Sequence, residues 1–265
     1  IETPCTEGDV DFICQGEGPY TLQSLLQLDN LENSNQLSKV PGLWYRQNGK
    51  PVFSKPSPVV SEEELSITLN GVAWDMLPMK VYRAHNWHCF DHIDERTPYA
   101  TLYTSLGCPF NCTFCCINAP FGKPSIRFWE PEFVITELDT LATKYGVKNI
   151  KIADEMFVLQ EDHVMRLCDL IIERGYDFNI WAYSRVDTCK SEYLDALASA
   201  GVRLLALGIE NPDEVNSLST GSAVKDLAII NDLLYAALGS GGVSVYNLST
   251  PADFYIVQGT RLYCE

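Results

Sequence analysis

Cys108, Cys112 and Cys115 fall within eight residues, in the run Thr104-Ser-Leu-Gly-Cys-Pro-Phe-Asn-Cys-Thr-Phe-Cys-Cys116. The Cys-x3-Cys-x2-Cys spacing brings three thiolates close enough to hold three irons of one iron–sulfur cube and leaves the fourth iron without a nearby protein ligand. An open iron position is a place where chemistry can happen, so the loop points to a reactive cluster more than a passive one. Gly107 and Pro109 suit a tight loop around such a group. Other readings use the same residues. A structural zinc site normally takes four protein ligands, commonly from two Cys-x2-Cys pairs, and no second pair follows. A ferredoxin-like carrier needs a fourth cysteine at suitable spacing, and Cys116, next to Cys115, is badly placed to close the same cube. Cys116 reads instead as a packed thiol, and chance clustering of cysteines is the bland alternative.

The loop needs elements to position it. From Pro98 onward strand and helix patterns alternate, with strands expected at Tyr99–Thr104, Asn149–Ala153, Phe178–Tyr183, Val202–Leu207 and Val243–Tyr246. Helices are expected between them at Glu132–Tyr145, Asp162–Arg174, Ser191–Ala200 and Ala223–Leu238. Repeated βα units argue for an α/β fold with a parallel sheet, and a barrel is its usual closed form. The cysteine loop follows the first of these strands, at the C-terminal face where barrel active sites sit. Ahead of it, Val10–Cys14 reads as a strand, Gln15–Gly18 as a turn and Tyr20–Leu31 as a helix with Leu22, Leu25, Leu26 and Leu28 on a core face. Leu43–Arg46 and Val52–Phe53 flank Asn48-Gly49, a hairpin signal. The prolines at 51, 56, 58 and 78 make the rest of 41–97 a linker of small pieces.

Composition narrows the class. In 265 residues, 46% hydrophobic content is enough for a packed core. A formal charge of −16, with no run of Lys or Arg, disfavours a nucleic-acid backbone as the main partner. No apolar stretch reaches the length of a transmembrane helix. Three of the ten cysteines form the motif, Cys116 adjoins it, and the other six are scattered without a disulfide framework, so a reducing cytoplasm is the expected compartment. The chain begins at Ile1 rather than methionine, which raises the expectation of a fragment.

The cysteine spacing, with aromatic Phe114 before the third cysteine, resembles the signature of radical S-adenosylmethionine enzymes. From Asp11 to about Glu210, roughly three-quarters of the chain, the pattern is similar to members that carry a cobalamin-binding domain before the barrel. The resemblance implies a partial (βα)6-type radical SAM barrel at 98–265, incomplete at its C-terminus. A linker with a hairpin at 41–97 and the C-terminal βα remnant of a Rossmann-like cobalamin-binding domain at 1–40 would precede it. The segments that carry this are Gly16-Glu17-Gly18 and Val40-Pro-Gly-Leu-Trp-Tyr-Arg46 with Asn48-Gly49. Members include methyltransferases acting on unactivated carbon and the anaerobic cyclase of chlorophyll-ring synthesis.

The implied chemistry is a 4Fe–4S cluster on Cys108, Cys112 and Cys115 that chelates S-adenosylmethionine and cleaves it reductively to a 5′-deoxyadenosyl radical. The implied partners are a small or lipid-like substrate and a reducing protein such as flavodoxin or ferredoxin. Asp154 and Glu155, ending the second strand, would accept hydrogen bonds from the S-adenosylmethionine amino group. Arg185, after the third strand, would pair with its carboxylate, and Glu210, after the fourth, would bind ribose hydroxyls. Each has a plainer reading: a turn-capping carboxylate, an ion pair of Arg185 with Asp187, a solvated Glu210.

The chain departs from the pattern in two places. The cobalamin-ligating Asp-x-His-x2-Gly is absent, since His85, His88, His92 and His163 have other contexts; a cobalamin histidine would lie upstream of Ile1. Tyr255–Gln258 follows Tyr246 too closely for a parallel crossover. The segment His85-Asn-Trp-His88-Cys89 with Asp91 and His92 has metal-ligand residue types, but packing against the barrel mouth, or contact with substrate or cobalamin, is favoured. A cobalamin-independent radical enzyme and a non-catalytic iron–sulfur or zinc module remain the alternatives.

Overall fold

A computed structural model describes residues 10–89, 93–112, 115–185, 188–208, 226–230, 233–237 and 243–247. In chain order the strands are β1 (Phe12–Cys14), β2 (Leu43–Gln47), β3 (Lys50–Phe53), β4 (Tyr99–Leu102), β5 (Ser105–Cys108) and β6 (Ser125–Phe128). They continue with β7 (Asn149–Ile152), β8 (Asn179–Arg185), β9 (Val202–Gly208), β10 (Asp226–Ile230), β11 (Leu233–Ala237) and β12 (Val243–Asn247). The longer helices are α1 (Pro19–Leu26), α2 (Pro131–Tyr145), α3 (Glu161–Arg174) and α4 (Ser191–Ser199). These elements form two units, the described residues of Ile1–Val72 with Ser105–Glu130, and those of Ala73–Thr104 with Pro131–Glu265.

In the first unit Asn48 and Gly49 both take positive φ, 52° and 76°, as a two-residue hairpin turn requires, and Gln47 pairs with Lys50 across it. β1 pairs antiparallel with β2, so the N-terminal strand completes a three-stranded sheet with the hairpin. This sheet buries Leu43 and Tyr45 with Leu37 and Val40, and Phe12, Leu25, Leu28 and Val52 pack on them. Leu22 and Leu26 do not share that core; they are 58% and 75% exposed. The helix ends at Leu26, short of the expected Leu31. So short a helix presents one narrow stripe, carried by Thr21 and Leu25 four residues apart, while Leu28 packs from the chain beyond its end. The compact units do not follow the division at 40 and 97 that the resemblance implies, because the β1–β2 pairing joins the N-terminal piece to the hairpin.

The cysteine loop also belongs to the first unit. β5 and β6 form an antiparallel ladder, with Cys108 opposite Ser125, that closes the base of the excursion 109–124. The sequence signals did not reveal this ladder. Gly107 has φ +91°, and a Cβ there would lie 2.3 Å from the Ser125 carbonyl oxygen. Gly107→Ala is therefore expected to cost at least about 1 to 3 kcal/mol from backbone strain alone. A lowered melting temperature and faster proteolysis within 109–124 would register it.

In the second unit β4, β7, β8 and β9 pair in that order, all parallel. Helices α2, α3 and α4 fall within two residues of their expected ends and link these strands, as a parallel sheet demands. Alternation along the strands separates two faces. Ile150, Ile152, Ile180 and Ala182 are buried to 0–1% and form the core with Leu138, Leu141, Val164 and Leu167 of the helices. Lys151, Trp181 and Tyr183 occupy the alternate positions.

The tail departs from expectation. The helix expected at Ala223–Leu238 is replaced by β10 and β11, and β12 pairs antiparallel with β11, so Val243–Tyr246 is not a fifth parallel strand. Continuous apolar runs such as Leu227–Ile230 and Leu233–Ala237 satisfy a helix and a buried strand equally, and the β-branched and aromatic residues favour the strand. Among the described residues the parallel sheet therefore has four strands. Tyr255–Gln258 lies outside the described residues.

Candidate functional site: the cysteine loop and the strand ends

The three motif cysteines are outside any disulfide, with Cys108 buried at the end of β5, Cys112 half-buried and Cys115 exposed. Short hydrogen-bonded turns order the loop. The Cys115 amide donates to the Cys112 carbonyl at 3.1 Å, Ala119 to Cys116 at 3.0 Å, and the Asn118 side-chain amide to the Phe110 carbonyl at 2.8 Å. Cys116 is exposed, not packed as the sequence led us to expect. Among the described residues no three His, Cys, Asp or Glu side chains are drawn into a metal cage. The donor set still fits an iron–sulfur cluster in kind: three unoxidised thiols on one loop, two of them accessible to an incoming cluster. Phe114 lies outside the described residues.

The base of the loop is held by a buried ion pair that the sequence did not disclose. Arg127 of β6 meets Glu17 of the Gln15–Gly18 turn, Nη2 to Oε1 at 2.6 Å, with side-chain exposures of 9% and 7%. Glu17 Oε2 accepts from Arg127 Nη1 at 3.1 Å and from the Val60 amide at 2.8 Å. Arg127 Nη1 also donates to the Val60 carbonyl, and its guanidinium lies 5.0 Å from the Phe121 ring centre. Glu17 thus has a local role in the first unit: it ties the turn after β1 to the ladder beneath the cysteines.

In the second unit the expected site residues collect at one end of the sheet, because parallel strands put their C-termini on the same side. Asp154 and Glu155 follow β7, and Arg185 ends β8. The two carboxylates have different environments. Asp154 is 1% exposed, and its oxygens accept from the Thr104 amide at 2.6 Å and from the Thr104 hydroxyl. It joins the chain after β4 to the chain after β7. Asp154→Ala would strand both Thr104 donors in a buried site and is expected to cost roughly 3 kcal/mol or more, against about 1 to 2 for Thr104→Val. Urea titrations of the two variants measure the difference.

Glu155 is exposed at its surface. Crowding nonetheless pushes its carboxyl above the usual carboxylate range, while the Lys151 ammonium pulls it the other way. Arg185 is half-buried. Its carbonyl accepts from the Thr188 amide at 3.3 Å and the Thr188 hydroxyl at 3.1 Å, and that hydroxyl is 3.0 Å from Ser184 Oγ. These bonds fix the turn in which the guanidinium is presented. Glu210 and Asp187 lie outside the described residues.

The His85–Cys89 segment packs at the opposite end of the strands rather than at the barrel mouth. His88 Nε2 donates to the Asn179 carbonyl at 2.7 Å, and the Asn179 amide returns a bond to the His88 carbonyl at 2.7 Å. The Cys89 thiol donates to Asn149 Oδ1 at 3.1 Å, and Asn149 Nδ2 donates to the Glu95 carbonyl at 2.7 Å. Asn149 and Asn179 open β7 and β8, so this network caps the strand beginnings. Burial lowers the His88 pKa from its ordinary 6.5. The unfolded chain therefore protonates first, and stability is expected to fall as pH drops below about 6.5, by at most about 1.4 kcal/mol per pH unit, until His88 itself titrates. A His88→Gln variant should flatten that slope between pH 7 and 5 in denaturant titrations.

Residues 102–229 match the family model described as the radical SAM superfamily. The chain is 33% identical over 211 residues to an uncharacterized methyltransferase of Pyrococcus horikoshii, covering 79% of this chain and 41% of that protein. It is 26% identical over 210 residues to an anaerobic magnesium-protoporphyrin IX monomethyl ester cyclase of Synechocystis, covering 78% and 39%. The chain thus spans about two-fifths of the length of the curated relatives it matches. Among solved structures it shares its fold with the radical S-adenosylmethionine methyltransferase TsrM of Kitasatospora setae, solved with cobalamin and a 4Fe–4S cluster. The TM-score is 0.52 at 20% identity, over 75% of this chain and 37% of that one. Through residues 102–229, which hold the cysteine loop and the strands β7 to β9, the chain belongs to the radical SAM superfamily.

Proposed function

We propose that this chain is part of a radical S-adenosylmethionine enzyme of the cobalamin-associated class, a methyltransferase or cyclase acting on a small or lipid-like molecule. The observation that carries the reading is the trio of thiols outside any disulfide, Cys108 at the end of β5 and Cys112 and Cys115 on the excursion 109–124. Cys108, Cys112 and Cys115 would hold a 4Fe–4S cluster, which when bound supplies one electron for reductive cleavage of S-adenosylmethionine. Glu155, exposed at the strand ends, would accept from the amino group of S-adenosylmethionine, and Arg185 would pair with its carboxylate. Asp154, already satisfied by Thr104, would hold the two strand ends in place. Phe114 and Glu210 complete the proposed cofactor contacts.

The whole protein would bind cobalamin, with 1–40 as the end of the cobalamin-binding domain, 41–97 as the linker and 98–265 as the barrel. The relatives named above support this part of the reading. A cytoplasmic setting and a flavodoxin or ferredoxin donor follow from the need for a low-potential electron. No helix among the described residues is long and apolar enough to cross a membrane. The test is anaerobic reconstitution with iron and sulfide, then dithionite and S-adenosylmethionine. Iron and sulfide in equal amounts with 5′-deoxyadenosine release supports the proposal; zinc without sulfide overturns it in favour of a binding module.

A further inference from the structure

We propose that the non-helical face of the parallel sheet carries an anion site for a planar molecule bearing a phosphate or carboxylate. A cavity of about 500 Å³ in the second unit is lined by Arg83, Arg96, Lys151, Tyr99, Trp181 and Tyr183, with His85 at its edge. Three guanidinium or ammonium groups converge there in a chain whose formal charge is −16. No carboxylate lines the cavity, and among the described residues none of the three cations forms an ion pair with one.

Two of the three cations, Arg96 and Lys151, are held in place by contacts of their side chains. Arg96 Nε donates to the Ala84 carbonyl and the Ala84 amide donates to the Arg96 carbonyl at 2.8 Å, which locks the Arg83–His85 segment to Arg96. The Lys151 ammonium lies 5.0 Å from the Trp181 ring centre and 4.8 Å from that of Tyr183. These rings are 5.5 Å apart and tilted by 50°. The Trp181 side chain is only 6% exposed, and its indole N–H is buried without a hydrogen-bond partner. Aromatic faces beside cations that no carboxylate contacts directly suit a ring that carries an oxyanion: the ring packs on the aromatic wall and the anion meets the cations. As a binding site this stands alone; as the class of the substrate it rests on the function proposed above.

The experiment is calorimetric titration of the full chain, without cluster or S-adenosylmethionine, using 1-naphthyl phosphate, 1-naphthoate and neutral 1-naphthol. Both anions are expected to bind at least about tenfold more tightly than the naphthol. Affinity for the anions should fall as salt rises. Lys151→Gln and Arg83→Gln should each weaken the anions by about tenfold or more and leave the naphthol unchanged. Arg83 is exposed, so its variant keeps the test decisive should Lys151→Gln fail to fold. Naphthol binding as tightly as the anions, anion affinity untouched by either substitution, or no heat from any probe at millimolar concentration overturns the site. A stronger response to the phosphate points to a dianionic ligand, and a stronger response to the naphthoate points to a carboxylate. Retained binding together with failed cluster assembly would overturn the proposed radical chemistry and leave the anion site standing.

Discussion

Replacement of Cys108, Cys112 or Cys115 by alanine is expected to take iron in the anaerobically reconstituted chain from about four per molecule toward zero. In the proposed site three ligands would hold the cluster with one vertex open, so losing any one would leave two thiolates for a four-iron cube. The charge-transfer absorbance near the visible and the yield of 5′-deoxyadenosine should disappear together. Cys116→Ala is the control, because Cys116 is exposed and adjoins Cys115 without adding a separate arm to the loop. It should leave iron and sulfide unchanged. Full iron loading in all three single variants would remove the basis of the proposed chemistry.

The second large effect lies away from the thiols. Arg127→Met is expected to destabilise the first unit by roughly 3 to 5 kcal/mol, because it leaves the Glu17 carboxylate buried with the Val60 amide as its remaining donor. Glu17→Leu should cost a similar amount by orphaning the guanidinium. The double variant should recover part of the loss, since replacing both members of a buried pair by apolar groups removes the uncompensated charge. Urea denaturation of the three variants measures this directly. Arg127 sits opposite Leu106 on the ladder beneath the cysteines, so the single variants should also lose cluster faster on dilution. A loss below about 1 kcal/mol for Arg127→Met would mean that the pair is solvated like a surface bridge.

Much of the architecture was open to a reader of the residues alone. The cysteine spacing, the Asn48-Gly49 turn and the strand and helix alternation over 99–207 are short-range patterns. Each is written within a few residues, where local sterics and side-chain period decide the outcome. The helix ends at Tyr145 and Arg174 coincide with expectation for that reason. The tail failed because its apolar runs carry no period that separates helix from strand, and pairing between distant segments settled it.

The site divides along the same line. The residues themselves determined which side chains were able to do chemistry: three thiols on one loop and acids and an arginine at strand ends. Only tertiary structure decided that Asp154 is consumed by Thr104, fifty positions earlier, while its neighbour Glu155 stays at the surface. It also joined Glu17 to Arg127 across 110 positions and gathered Arg83, Arg96 and Lys151 around one cavity. Such pairings depend on which charges lose their water when the chain compacts. That loss is a property of the packed interior, and no spacing along the chain encodes it.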